Sequence, residues 1–221
     1  KSMLLAAVAV TGHLLILITR KITGGTQNNA GLILSYLSSC LLLASLLIIG
    51  QYDVLSLIFI LAGVYFYLND NRRYFLIWFI IANSMKYFGL LYLLPLLCLK
   101  EKNPLKLIGQ LALSMSLSIF WKIFFSLGTY GTAVLSNNDG LISMLTDYQV
   151  FSGVSIFWVS YLALVIHCYK RKDMSQARHY HEVIFAGFVT YMLLYTATPA
   201  YPYWVVLLIP FLTIMLHTSG S

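Results

Sequence analysis

Residues 50–100 read GQYDVLSLIFILAGVYFYLNDNRRYFLIWFIIANSMKYFGLLYLLPLLCLK, and this stretch decides the fold. A polar cluster, Gln51-Tyr52-Asp53, abuts an apolar span that ends in Asn69-Asp70-Asn71-Arg72-Arg73. A second apolar run, Tyr74 to Leu99, is about 26 residues long and is interrupted by Asn83-Ser84-Met85-Lys86. As one tilted helix it would place Arg72-Arg73 and Lys100–Lys102 on opposite sides of a bilayer. As two short helices hinged at Asn83 to Lys86 it keeps both basic clusters on one side, and the positive-inside rule favours that arrangement. An ionisable group beside or within an apolar span is costly and marks a candidate site. Asp53 and Lys86 are placed to meet on one face.

Working outward, hydrophobic residues make up 60% of the 221-residue chain and charged residues 10%. That balance excludes a disordered chain and argues against an ordinary soluble domain. Apolar runs recur along the chain, each close to the ~20 residues needed to cross a hydrocarbon core. They are continuous rather than alternating, which points to helices and not a barrel. The expected spans are Ser2–Thr19, Ala30–Ile49, Val54–Leu68, the hinged pair at 74–99, Leu105–Trp121, Gly153–Tyr169, Val183–Thr196 and Tyr203–Leu216. The expected fold is therefore all-α: a polytopic integral membrane bundle of about nine crossings, forming a single transmembrane domain over 1–221. The connection from Lys122 to Ser152 is too long for a simple helix–helix turn, and loops of that length are often functional. Its Leu141–Leu145 segment is amphipathic enough to lie on an interface.

Charge sets the orientation. Arg20, Lys21, Arg72, Arg73, Lys100, Lys102, Lys106, Lys170, Arg171, Lys172 and Arg178 fall on one face, leaving only Lys1, Lys86 and Lys122 for the other. The crowded face is expected to be cytoplasmic, with the N-terminus outside and the C-terminus inside, and the Ile/Asn/Lys-rich composition, with the GQYD wording, suggests a bacterial plasma membrane. The net charge of +7 is thus spent on topology, and nucleic acid is not an expected partner. Arg20-Lys21 stands where a signal peptide would need small residues, so the first span is read as retained and the chain as the later part of a longer protein. Cys40, Cys98 and Cys168 all lie in apolar runs with no CxxC spacing, which fits buried thiols rather than disulfides or zinc. His179 and His181 form an H-x-H in a charged loop and lack a third ligand. Thr23-Gly24-Gly25 lacks the Lys-Ser/Thr of a phosphate-binding loop.

The opposite, sparsely charged face collects the candidates. Asp53 suits three tasks: accepting a hydrogen bond from a hydroxyl, pairing with Lys86, or acting as a base. The bland alternative is a solvated carboxylate at a helix N-terminus, favoured there by the macrodipole. Lys86 sits far from both ends of its apolar run, where snorkelling to the interface is hard unless the helix breaks. At the tip of a broken helix, a lysine binds a phosphate as a point charge. Tyr201, Tyr203 and Trp204 read either as an interfacial aromatic belt or as stacking surfaces. Lys122, beside Trp121, reads as an interfacial anchor.

This arrangement resembles the GT-C superfamily of polytopic membrane glycosyltransferases. Gly50-Gln51-Tyr52-Asp53 is similar to the GQYD or QFD stretch of bacterial members and to the HFQYN motif of dolichyl-phosphate-glucose glucosyltransferases, with Asp53 where that motif has Asn. Asn83-x-x-Lys86, followed by an apolar run and Pro95, is similar to their N-x-K…P segment. Tyr201-Pro202-Tyr203-Trp204, then Leu207-Leu208-Ile209-Pro210-Phe211, is similar to the aromatic and LLP element of a late helix. The resemblance covers 31–100 and, more loosely, 183–216. It implies transfer of a sugar from a polyprenyl-phosphate-linked donor to a glycan, lipid or protein acceptor on the non-cytoplasmic face, with inversion. Under it, Gln51, Tyr52, Asn83, Lys86, Tyr201, Tyr203 and Trp204 are substrate-binding residues and Asp53 is the candidate catalytic residue. The family's acidic base lies in a first large external loop, and this chain has none before Ala30. Asp53 therefore either serves as that base or lines the substrate site while the base lies upstream of Lys1. No cofactor is called for, and a divalent metal is the one left open.

The chemistry of that reading is consistent: a lysine stabilises charge developing on the leaving phosphate, and a carboxylate positions or deprotonates the acceptor hydroxyl. A transporter or flippase of a lipid-linked saccharide competes, since broken helices with polar residues also mark transporters. It would place polar groups near the midplane, within reach of both sides. A polysaccharide polymerase or ligase would display external arginines, and a scaffold subunit would need no site.

Overall fold

Asparagine and serine set where the helices begin. In the computed structural model, which describes residues 2–25, 28–39, 53–126, 139–151, 153–172, 174–199 and 201–218, Asn28, Asn71, Asn103, Ser155 and Ser175 each accept a hydrogen bond from the first turn of the following helix. Such caps satisfy backbone N–H groups that a helix start otherwise leaves open. The chain forms α1 (Ser2–Thr23), α2 (Asn29–Leu37), α3 (Asp53–Leu68), α4 (Arg72–Met85), α5 (Phe88–Lys100), α6 (Pro104–Ser114) and α7 (Ser116–Ser126). There follow α8 (Asp139–Asp147), α9 (Ile156–Lys170), α10 (Gln176–Thr196), a 3₁₀ turn at Pro202–Leu207 and α11 (Ile209–Thr218). Strands β1 (Gln149–Phe151) and β2 (Val154–Ser155) pair antiparallel in a small hairpin between α8 and α9.

The run from Tyr74 to Leu99 is two helices, not one. The break falls at Lys86, whose backbone is extended (φ −152°, ψ 142°) and whose N–H closes α4 on the Ala82 carbonyl at 3.0 Å. The two arms fold back on each other, because their far ends meet: Arg72 pairs with Glu101 at 3.5 Å, and Lys100 pairs with Asp70. The Lys102 ammonium then donates to the Cys168 carbonyl at 3.2 Å, bringing the end of α9 to the same place. The basic residues at these three helix ends thus gather at one end of the bundle, as their spacing predicts. Asp53 and Lys86 lie at the other.

Helix α5 is the centre of the core. It is only 13 residues long and ten of them are buried. Pro95 has no N–H, so the Leu91 carbonyl one turn earlier has no partner within the helix. The Tyr161 hydroxyl of α9 donates to that carbonyl at 2.7 Å. Tyr67 of α3 donates to the Leu96 carbonyl at 2.9 Å, Tyr191 of α10 donates to Phe88 at 3.3 Å, and the Tyr92 hydroxyl reaches out to Val183 of α10 at 2.8 Å. Tyr161→Phe is expected to cost about 1–3 kcal/mol by stranding a buried carbonyl. In a Pro95→Ala background, where the helix can close its own bond, that cost should largely vanish. Equilibrium unfolding of the two single variants and the double variant measures the difference. On the far side of α5, Gly187 of α10 lets aromatic rings touch the helix backbone. A Cβ at that position would lie 2.4 Å from the Phe211 ring and 2.9 Å from the Tyr92 ring.

Several expectations need revision. Among the described residues one helix, α1, is long and apolar enough to cross a membrane, or two if the α6–α7 pair, bent by 42° at Met115, counts as one span. About nine crossings are therefore not observed. Lys86 and the 3₁₀ turn divide other apolar runs into shorter helices, and the first turns of α10 are too polar to count. His179 and His181 lie on α10 rather than in a loop, because Ser175 starts that helix early. The connection after Trp121 is more ordered than expected: α7 continues through Lys122 to Ser126, and α8 and the β-hairpin occupy its second half. Cys40 and the later part of the Ala30–Ile49 run lie outside the described residues. Large apolar side chains nevertheless face outward on most helices, including Leu34, Ile77, Leu105, Phe124, Leu162 and Leu216.

Candidate functional site

Three helix ends build the site. Asp53 is the first residue of α3, Lys86 is the break between α4 and α5, and Trp204 lies in the 3₁₀ turn before α11. Antiparallel packing of α3 and α4 carries the start of one to the end of the other, and Lys86 forms an ion pair with Asp53. The carboxylate is fully buried, while the lysine side chain is 42% exposed. Lys86 is the counter-charge of Asp53, and among the described residues neither Asp53 oxygen has a further partner. Burying a carboxylate with one half-exposed cation is costly, and the position of Asp53 at a helix N-terminus offsets part of that cost.

Around this pair lie further buried polar groups without partners. Asn83 is 1% exposed, yet neither its amide nitrogen nor its side-chain oxygen is hydrogen-bonded among the described residues. The Ser56 hydroxyl, one turn into α3 from Asp53, is likewise buried and unpartnered. Such groups usually signal a missing partner, since most buried polar atoms are satisfied. Gly89 makes room for Asn83: a Cβ there would lie 2.6 Å from the Asn83 oxygen. The Ser118 hydroxyl of α7 donates to the Asn83 backbone carbonyl at 2.6 Å. One turn further along α7, Lys122 lies 5.2 Å from the centre of the Tyr87 ring.

An aromatic wall closes one side. The Phe88 ring lies edge-on to Trp204 at 4.9 Å, and the Lys86 ammonium is 5.5 Å from the centre of that same Phe88 ring. Tyr201 stacks on Tyr203 at 5.2 Å and meets Trp204 edge-on at 5.5 Å. Tyr201 is exposed and Trp204 is buried, so the cluster runs from the surface toward Lys86.

Of the residues singled out in the sequence, Asp53, Asn83, Lys86 and Trp204 come together, with Tyr201 and Tyr203 at the edge. Gln51 and Tyr52 lie outside the described residues. Sequence reasoning missed Ser56, Phe88 and Ser118, and took Lys122 only as an anchor. Its available signal for the serines was a small polar residue inside an apolar run. Phe88 carried none, since its role appears only once the helix breaks beside it. The described residues contain no group of three or more His, Cys, Asp and Glu side chains arranged to hold a metal ion.

No known protein family matches this chain, and searches of characterised proteins and of solved structures find no match.

Proposed function

We propose that the chain is part of an integral membrane glycosyltransferase that moves a sugar from a polyprenyl-phosphate-linked donor to an acceptor hydroxyl. The observation that carries this reading is the Asp53–Lys86 pair at a helix break, with unpartnered Asn83 and Ser56 beside it. A lysine with its side chain half exposed at a helix break suits a phosphate. Buried groups that can both donate and accept suit a hydroxyl-rich ligand. The outward apolar side chains support embedding in lipid, with the basic end cytoplasmic and the site on the opposite face. The short, buried α5 fits that setting, since its backbone groups are satisfied by the protein around it.

The pair also suits a coupled sequence. An arriving donor phosphate draws Lys86 away from Asp53 and leaves the carboxylate free for the acceptor. The acceptor oxygen then attacks the anomeric carbon, the bond from that carbon to the phosphate oxygen breaks, and the electron pair leaves with the polyprenyl phosphate. Lys86 stabilises the charge gained there, and Asp53 takes or directs the acceptor proton. Trp204 and Tyr201 cover apolar sugar surface.

Sugar transfer by the reconstituted protein, with a panel of labelled polyprenyl-phosphate sugars, tests this. Asp53→Asn is expected to lower transfer at least ~100-fold, about 2.7 kcal/mol of transition-state stabilisation. Transfer that survives the change would remove Asp53 from the catalytic role. The absence of transfer from any donor would overturn the reading, and movement of lipid-linked saccharide across the bilayer would assign transport instead.

A further inference from the structure

The end of the bundle opposite the Asp53–Lys86 pair carries a second cleft, independent of the proposed sugar transfer. It lies where the C-termini of α5 and α9 meet the N-terminus of α10. Lys100, Lys102, Arg171, Lys172, Gln176 and His179 line it, and among the described residues no carboxylate does. Two of these cations already carry a carboxylate at the edge of the cleft: Asp70 holds Lys100, and Glu182 holds Arg171 at 3.0 Å as well as His167 at 3.0 Å. Among the described residues the Lys102 ammonium donates to the backbone carbonyls of Cys98 and Cys168 and lies 5.4 Å from the centre of the Tyr169 ring. Lys172 is exposed on the rim. His179 stacks on Tyr67 at 5.7 Å, and its Nε2 is buried without a partner among the described residues.

We propose that this cleft is a binding site for a phosphate group carried by an anionic lipid headgroup. Lys102 and Lys172, which have no carboxylate among the described residues, converge on one cleft with two paired cations, and it is also lined by His179, whose Nε2 has no partner there. A tetrahedral oxyanion satisfies both at once. The free N–H groups at the start of α10 add to the attraction. Leu99 and Met174, also in the lining, supply an apolar wall such as acyl chains require. Desolvation and, to a lesser degree, the neighbouring Lys172 lower the Lys102 pKa below the usual lysine value, which is the mark of a cation that a bound anion would relieve. Burial and, after it, Lys100 push the His179 pKa down, so the imidazole is neutral and can offer an N–H to the phosphate. Basic pockets between helices at a membrane surface recognise lipid phosphates in this way, each lysine adding about a fivefold gain.

The test uses the full chain in vesicles of phosphatidylcholine, with and without phosphatidylglycerol, and follows lipid retention and thermal stability. Wild type is expected to retain phosphatidylglycerol and gain stability from it. Lys172→Gln should weaken retention about fivefold and Lys102→Gln with Lys172→Gln more than tenfold. Lys106→Gln, which removes the same charge outside the cleft, should leave retention unchanged. Inorganic phosphate added to the phosphatidylcholine vesicles separates the sources: stabilisation by phosphate alone, with none from phosphatidylglycerol, would keep the phosphate site and assign it to a soluble ligand. Equal losses from Lys106→Gln and Lys172→Gln, or no response to either anion, would overturn the proposal.

Discussion

Lys86→Ala is expected to destabilise the protein by about 3 kcal/mol, at the lower end of the cost of breaking a buried pair because the lysine is half exposed. A surface ion pair would cost about 1 kcal/mol or less. The difference arises at Asp53, whose carboxylate has no exposed surface and would be left without a counter-charge. Asp53→Asn combined with Lys86→Gln removes both charges and should recover most of the loss. Thermal or denaturant unfolding of wild type, Asp53→Asn, Lys86→Gln and the double variant completes a double-mutant cycle, and a strong positive coupling is the expected result. A Lys86→Ala protein as stable as wild type would mean that water or another group reaches Asp53. The doubly neutral variant also serves the functional question. It should be folded but inactive in sugar transfer, which separates loss of chemistry from loss of structure.

Gly187→Ala is expected to cost about 3 kcal/mol, at the upper end for overpacking a core. The new methyl would meet the Phe211 and Tyr92 rings at 2.4 and 2.9 Å, far inside contact distance. Neither ring can step aside: Phe211 is fully buried, and Tyr92 is tied to Val183 by its hydroxyl. Phe211→Leu in the same chain should recover part of the loss by vacating the space. Gly109 in α6 is the control, since nothing lies within 4 Å of a Cβ there. Gly109→Ala should be neutral or stabilising by up to about 1 kcal/mol, through helix propensity alone. Melting temperatures that rank the two alanine variants alike would contradict the close packing around α5.

The hinge at Lys86 was legible because a lysine and an asparagine in mid-run have no inexpensive place in one apolar helix. The return of α5 to the level of Arg72 was legible from charge alone, since only a hairpin keeps both basic clusters together. The meeting of Asp53 with Lys86 followed from those two readings. The lengths of the helices did not. Apolar composition does not record where Met115 or the 3₁₀ turn interrupts a run, and helix α10 starts early because of a single serine cap. The polar neighbours were hidden for a similar reason. Ser56 and Ser118 are ordinary residues in apolar segments until packing closes around them, and Tyr161 carries no mark of the carbonyl it serves seventy residues upstream.

That last contact bears on how the molecule is assembled. The open carbonyl created by Pro95 and the carbonyl of Phe88 are both answered by tyrosines from α9 and α10, 70 and 103 residues further along the chain. Synthesis runs from the N-terminus, so α5 exists before either donor does. Until α9 and α10 arrive, it must rest where water or a transient partner can serve its backbone. The central helix is therefore made before its partners, and its final position becomes available only when α9 and α10 have been delivered.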